Sequence, residues 1–461
     1  MITQRRAPAG ALALALVLAV GAAQAALPGS AAATTAATTT VSTAAESGTS
    51  VDHTRLQALL HRLTTVDGAP GALAEVRDRR GSTVLTSGVG NVRSQASVHR
   101  DSRFRIGSMT KMFTATALLQ LVGERRVDLD APVERYLPGV VRGHGNDGRA
   151  ITVRHLLQHT SGLPDFLDHL KPQEIVRDPL VRHDPRELVA MALEHPPVFA
   201  PGAGWDYSNT GYLLVGMVIE KVTGDPYGAE IRERVIEPLG LCETYVPRGT
   251  AVPGPHPRGY AQPGEGAPLL DVTRMSPSVG GAAGSMISSG TDVNRFLGAL
   301  LRGELLRPAE LREMMTTRST GSADGRAYGL GLESRPLSGG GLYWGHTGDF
   351  LGYETMAGAT VDGRQATVMV NLGPGSSDAQ SDDLEAALRT ALSAGAAQPS
   401  RPSSSVAAAT TAALRRASSA SVRLAGPDAD GAPLATPCQF DPRVHQPLRA
   451  HAVVSPGQPG V

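Results

Sequence analysis

The chain has 461 residues, 41% hydrophobic and 19% charged, and its 43 basic residues balance 43 acidic ones. That length supplies ample material for a buried core in one to three domains, and zero net charge lacks the basic footprint that nucleic-acid binding requires. Two cysteines, Cys242 and Cys438, exclude both a disulfide-rich scaffold and a four-thiolate zinc site.

The N-terminus reads as an export signal. Arg5 and Arg6 precede an apolar run over residues 11–20, and Ala23-Gln24-Ala25 offers the small-x-small pattern of a cleavage site after Ala25. The apolar run is too short to span a bilayer, so a Sec-type signal over residues 1–25, a secreted protein and no membrane anchor after cleavage are expected. Residues 26–50 are Ala, Thr and Ser-rich and read as a flexible spacer. Residues 51–395 form the expected globular body. An amphipathic helix is predicted over 54–63, followed by strand-like runs at 71–76 and 82–85 around the turn Asp78-Arg79-Arg80-Gly81. Helices are predicted over 109–124, 211–222, 228–234 and 290–302, then strands at 341–344, 352–359 and 365–371, and a closing helix at 381–392. Strands at both ends with helices between predict an α+β fold: an antiparallel sheet flanked by helices plus a helical region, with the site in the cleft between. Residues 396–461 read as a low-complexity tail, with a helical patch at 406–416. Export would permit a Cys242–Cys438 disulfide, and the sequence leaves that pairing open.

Three segments carry chemistry. In Ile106-Gly107-Ser108-Met109-Thr110-Lys111, Ser108 and Lys111 stand three apart at a helix start and share a face. A serine hydroxyl needs a base, and a desolvated lysine can supply one. The chain has three lysines in all, which makes one inside a motif more informative. Taken alone, Ser108 also reads as a helix cap and Lys111 as a surface charge. In Pro201-Gly202-Ala203-Gly204-Trp205-Asp206-Tyr207-Ser208-Asn209, Tyr207 can shuttle a proton and Asn209 can bond an amide. The same stretch also reads as a turn in which Ser208 or Asn209 caps the next helix. In Gly345-His346-Thr347-Gly348-Asp349, glycine permits close backbone approach, Thr347 offers a hydroxyl and His346 a switchable charge.

Together the three segments resemble, in order and spacing, the serine hydrolases of the class C β-lactamase and D-alanyl-D-alanine carboxypeptidase superfamily. Its motifs Ser-x-x-Lys, Tyr-x-Asn and Lys/His-Thr-Gly match Ser108/Lys111, Tyr207/Asn209 and His346-Thr347-Gly348. The runs His159-Thr160-Ser161-Gly162-Leu163-Pro164, Tyr328-Gly329-Leu330-Gly331-Leu332 and Gly281-Ala282-Ala283-Gly284-Ser285-Met286 resemble it as well. The histidine of the third triplet is similar to that of the secreted carboxypeptidase branch.

The resemblance implies an acyl-enzyme mechanism without metal or organic cofactor. Ser108 would be the nucleophile, with Lys111 and Tyr207 managing its proton. The backbone N–H groups of Ser108 and Asp349 would hold the oxyanion, while Asn209 and Thr347 orient substrate. The implied activity is a D-alanyl-D-alanine carboxypeptidase that removes the terminal D-Ala of peptidoglycan-type peptides and is acylated by β-lactams. An esterase or β-lactamase using the same site, or a penicillin-binding protein without turnover, are the alternatives. One residue departs from the branch: Glu333 stands where an arginine would grip the terminal carboxylate. Arg335 lies two positions on, about 7 Å along a strand. Either Arg335 substitutes, or the enzyme does not select for a free carboxylate. With a reference pKa near ~6.5, His346 is expected to lose its charge between about pH 5 and 8 and, when protonated, to help bind a carboxylate.

Overall fold

Strand periodicity is visible in the first strand, β1 (Gly71–Asp78), where Ala72, Ala74 and Val76 enter one core and Leu73 enters another. This is the two-residue alternation of a strand covered on both faces. The computed structural model describes residues 51–78, 81–263, 266–375 and 378–393. The export signal, the spacer, the tail with its helical patch, and Cys438 with its pairing to Cys242 all lie outside the described residues.

β1 is followed by β2 (Gly81–Asn91) and β3 (Ala96–Ser97). The second half of the chain supplies β4 (Arg318–Ser319), β5 (Ala327–Tyr328), β6 (Glu333–Pro336), β7 (Leu342–Phe350), β8 (Tyr353–Ala359) and β9 (Gln365–Val370). These nine strands form one antiparallel sheet in the order β4-β5-β6-β7-β8-β9-β1-β2-β3. The last strand therefore pairs with the first, from Ala72 opposite Val370 to Arg77 opposite Gln365. The expected α+β architecture, a sheet completed by both ends of the body, is the one observed.

Six helices support the site: α1 (His53–Thr65), α2 (Thr110–Gly123), α3 (Val153–Gln158), α4 (Asn209–Thr223), α5 (Gly290–Leu301) and α6 (Asp378–Ser393). On one face of the sheet Leu56, Leu60 and Leu63 of α1 meet Leu384, Leu388 and Leu392 of α6 over Val368 and Val370. On the other, Val293, Phe296 and Leu297 of α5 pack with Leu73 and Met369, and this core continues into the helical region. At its centre lies α2, with 11 of its 14 residues buried. Packing on every side, rather than an amphipathic stripe, holds such a helix. The ring of Phe113 stacks on Phe296 with centroids 3.9 Å apart. Among the described residues no helix is long and apolar enough to cross a membrane.

Two local expectations shift. The helix predicted from residue 109 begins at Thr110, after a 3₁₀ turn, Gly107–Met109, that carries Ser108. The His-Thr-Gly triplet does not separate two strands, because β7 runs straight through it. Glycine lowers strand propensity and so interrupted the pattern, but here it serves close approach. A β-carbon on Gly345 would stand 1.9 Å from the carbonyl oxygen of Ala357 on β8.

Candidate active site

The 3₁₀ turn Gly107–Met109 and the first turn of α2 place Ser108 and Lys111 together, with Lys111 Nζ 3.1 Å from Ser108 Oγ. Lys111 is no surface charge: it is wholly buried. Its Nζ has two further partners, Asn209 Oδ1 at 2.7 Å and the carbonyl of Ala283 at 2.8 Å. That carbonyl comes from the short helix Gly281–Gly284, whose last carbonyls have no partner within the helix. The helix is fixed against α2 by Thr114 Oγ1 donating to Ala282 O, and Thr110 Oγ1 accepting from Met286 N–H. Burial, opposed by the carboxylates of Asp165, Asp349 and Glu333, lowers the Lys111 pKa to about 7. Asn209 and Ala283 can only accept at these atoms. A neutral Lys111 therefore donates to both and turns its lone pair toward the Ser108 hydroxyl.

Asn209 owes its orientation to Asp165, whose Oδ2 accepts from Asn209 Nδ2 at 2.7 Å. Desolvation of the half-buried Asp165 raises its pKa to about 6, and its other carboxylate oxygen accepts from Leu167 N–H. The capping alternative does not describe this segment. Ser208 occupies the N-cap position of α4 without a side-chain capping bond, and the Asn209 amide is committed to Lys111 and Asp165.

Tyr207 completes the group. Lys111 Nζ lies 4.7 Å from its ring centroid, and its hydroxyl is buried toward Ser108 without a completed hydrogen bond. Burial holds its pKa well above the ordinary phenol value, against the opposing influence of Ser108, so the phenol keeps its proton.

β7 forms the opposite wall. β6 pairs only with residues 342–345, so His346, Thr347, Gly348 and Asp349 lie beyond that pairing on the edge of β7. This edge is pressed against the Ser108 turn, since a β-carbon on Gly107 would stand 2.6 Å from Asp349 N. The Asp349 backbone is thereby brought against Gly107, the neighbour of Ser108. Its carboxyl group, raised by burial and by Glu354, has a pKa of about 7.

Two expectations fail on burial and partners. His346 does not titrate between pH 5 and 8: burial, only partly offset by Glu333, lowers its pKa to about 4. Nδ1 donates to Thr347 O at 2.5 Å, and Nε2 accepts from the Tyr328 hydroxyl at 2.9 Å. Arg335 is not a spare cation for substrate. It bonds Glu333 Oε2 at 3.1 Å and Glu385 Oε2 at 2.8 Å, with Asp324 at 3.6 Å. Glu333 itself is buried, and against that desolvation the guanidinium groups of Arg335 and Arg326 hold its pKa below the usual value.

Asp165, Tyr328 and the Ala283 carbonyl bond directly to Asn209, His346 and Lys111, contacts that residue pattern did not disclose. Asp165 directly follows the family-like run ending at Pro164, but nothing in the chain links it to Asn209, 44 residues away. Among the described residues no group of three or more His, Cys, Asp or Glu is placed to hold a metal ion.

A nucleophile–lysine–tyrosine constellation in the cleft between an antiparallel sheet and a helical region defines a serine hydrolase of the penicillin-recognising kind. The chain matches the Beta-lactamase family over residues 56–391 and belongs to it. It is similar to the D-stereospecific amidohydrolase from Streptomyces sp., with 42% identity and a TM-score of 0.68 over 73% of this chain and 98% of that one. It is also similar to the D-amino acid amidase from Ochrobactrum anthropi SV3, solved with L-phenylalanine amide, at 29% identity and a TM-score of 0.64, covering 73% and 97%. Penicillin-binding protein 4* of Bacillus subtilis (strain 168) is 28% identical over 289 residues, 59% of this chain. The match spans 61% of that relative's length.

Proposed function

We propose that the protein is an acyl-enzyme hydrolase of amides and short peptides of D-amino acids that does not require a free C-terminal carboxylate. The observation that carries the substrate side is the enclosure of Arg335 by Glu333, Glu385 and Asp324. A guanidinium so neutralised offers a substrate carboxylate little, and Glu333 adds a like charge at the position in question. The D-configuration rests on the likeness to the amidohydrolase and the amidase. Export, read from residues 1–25, would place the activity outside the cytoplasm.

In this mechanism neutral Lys111 takes the proton as Ser108 Oγ bonds to the carbonyl carbon. The N–H groups of Ser108 and Asp349 stabilise the oxyanion. The C–N bond breaks as the protonated Tyr207 gives its proton to the departing amine. The proton on Lys111 then passes to the Tyr207 phenolate, restoring both groups, and water cleaves the ester, one of its protons going to Ser108 and the other leaving with the carboxylic acid product. Asn209 keeps one N–H for the substrate while its carbonyl stays on Lys111.

The test compares D-phenylalanine amide with a peptide ending in D-Ala-D-Ala, following ammonia and D-alanine release. Turnover of the amide at a kcat/KM equal to or above that of the peptide is expected. Strict dependence on the free carboxylate would restore the carboxypeptidase reading.

A further inference from the structure

We propose that His159, which the mechanism above does not use, is the positioning residue for the Tyr207 hydroxyl. The inference rests on the proton-donor role read for Tyr207. α3 ends at Gln158, and His159 follows in the left-handed region with φ 61° and ψ 35°. From there it holds Tyr207 on three sides. Its carbonyl accepts from the N–H of Asp206 at 3.0 Å, and its Nδ1 accepts from the N–H of Ser208 at 3.1 Å. Its ring packs against the Tyr207 ring, tilted by 32° with centroids 4.2 Å apart, and meets Tyr328 edge to face at 4.6 Å. Both chain neighbours of Tyr207 and its ring are thus tied to one residue.

The contacts continue along the chain. Thr160 O accepts from Gly202 N–H at 2.8 Å, and Gly162 O from Val198 N–H at 2.9 Å. The run from His159 to Gly162 is a backbone template onto which the loop carrying Tyr207 is laid, and His159 is its catalytic end.

The tautomer follows from the bonds. Because Nδ1 accepts, the ring proton sits on Nε2, which is buried with no hydrogen-bond partner. A second proton has no place on Nδ1 while Ser208 donates there. Burial, with the Arg326 guanidinium acting in the same direction, keeps the ring neutral. His159 therefore carries no proton in the reaction and acts through geometry. The position asks for an acceptor at the δ atom and for a residue that tolerates the left-handed region, and asparagine meets both demands.

The experiment uses the full chain with His159→Leu, His159→Asn, Tyr207→Phe and the Leu/Phe double variant. D-phenylalanine amide and a p-nitrophenyl ester are the probes, with thermal unfolding measured on each variant. An amine must be protonated to leave and p-nitrophenolate need not be, so loss of Tyr207 geometry should cost the amide far more than the ester. His159→Leu is expected to lower kcat on the amide about 10²-fold, the effect of roughly 1 Å of misplacement, with little change in KM. His159→Asn should recover most of that loss, and the double variant should be no slower than Tyr207→Phe alone. A folded His159→Leu with parental amide kcat overturns the proposal, as do additive losses in the double variant. Should His159→Leu not fold, a folded His159→Asn as slow as Tyr207→Phe overturns it equally. Parental amide turnover by Tyr207→Phe would instead remove the proton-donor reading itself.

Discussion

Gly107 and Asp349 meet backbone to backbone: a β-carbon on Gly107 would lie 2.5 Å from the carbonyl oxygen of Asp349 and 2.6 Å from its nitrogen. Gly107 also has φ +51°, a conformation that L side chains rarely adopt. Across the same contact, a β-carbon on Gly348 would meet Ile106 O at 2.1 Å. Two glycines thus let this edge of β7 reach the nucleophile turn, which sets the approach of the Asp349 backbone to the Ser108 turn.

Gly107→Ala should push that edge away and remove one oxyanion donor. The expected loss in acylation is on the order of 10²–10³-fold. Single-turnover acylation by a p-nitrophenyl ester, beside thermal unfolding, measures it. A folded variant acylating at the parental rate would show that the contact is structural only.

Lys111 is proposed to act as the neutral base, and burial brings its pKa to about 7. Below that pH the amine is protonated and cannot accept from Ser108, so acylation should rise as pH increases through about 7. Lys111→Arg keeps the charge but cannot deprotonate, and should lose roughly 10²–10⁴-fold at every pH. A pH profile of acylation that is flat between 6 and 8 would contradict this role.

Asp165→Asn should affect both the rate and its pH dependence. The Asp165 carboxylate favours the Lys111 cation, so its removal should move the acidic limb of the profile to lower pH. Asparagine offers one acceptor oxygen in place of two, so either Asn209 Nδ2 or Leu167 N–H loses its acceptor, and the charge-assisted bond to Asn209, worth about 1.5–3 kcal/mol, is lost or weakened. Slower acylation with an acid-shifted limb is expected, and an alkaline shift would refute the assignment.

Arg335→Ala should destabilise the fold by about 3–5 kcal/mol, because it strips a buried carboxylate of its partner. Denaturant unfolding measures this, and the ratio of amide to carboxypeptide turnover should stay unchanged. The pH sign follows from Glu333, whose folded pKa lies below the ordinary 4.5. Its stabilising contribution is present above that value and is lost as pH falls through the folded pKa. Selective loss of carboxypeptide turnover in Arg335→Ala would reinstate Arg335 as a substrate ligand.

Much of this was legible from residues alone. Helical spacing put Ser108 and Lys111 on one face, and strand-like runs at both ends of the body anticipated the pairing of β1 with β9. Such features follow from covalent geometry and local periodicity, which short stretches of chain carry by themselves. The tertiary fold settled which charges are available. His346 was expected to switch near neutral pH and is held neutral by burial, and Arg335 was weighed as a substrate cation and is spent on Glu333, Glu385 and Asp324. Asp165 and Asn209, 44 residues apart, meet only in the folded chain. Protonation and availability depend on desolvation and on partners brought from distant positions, and neither quantity is written in the spacing of a motif.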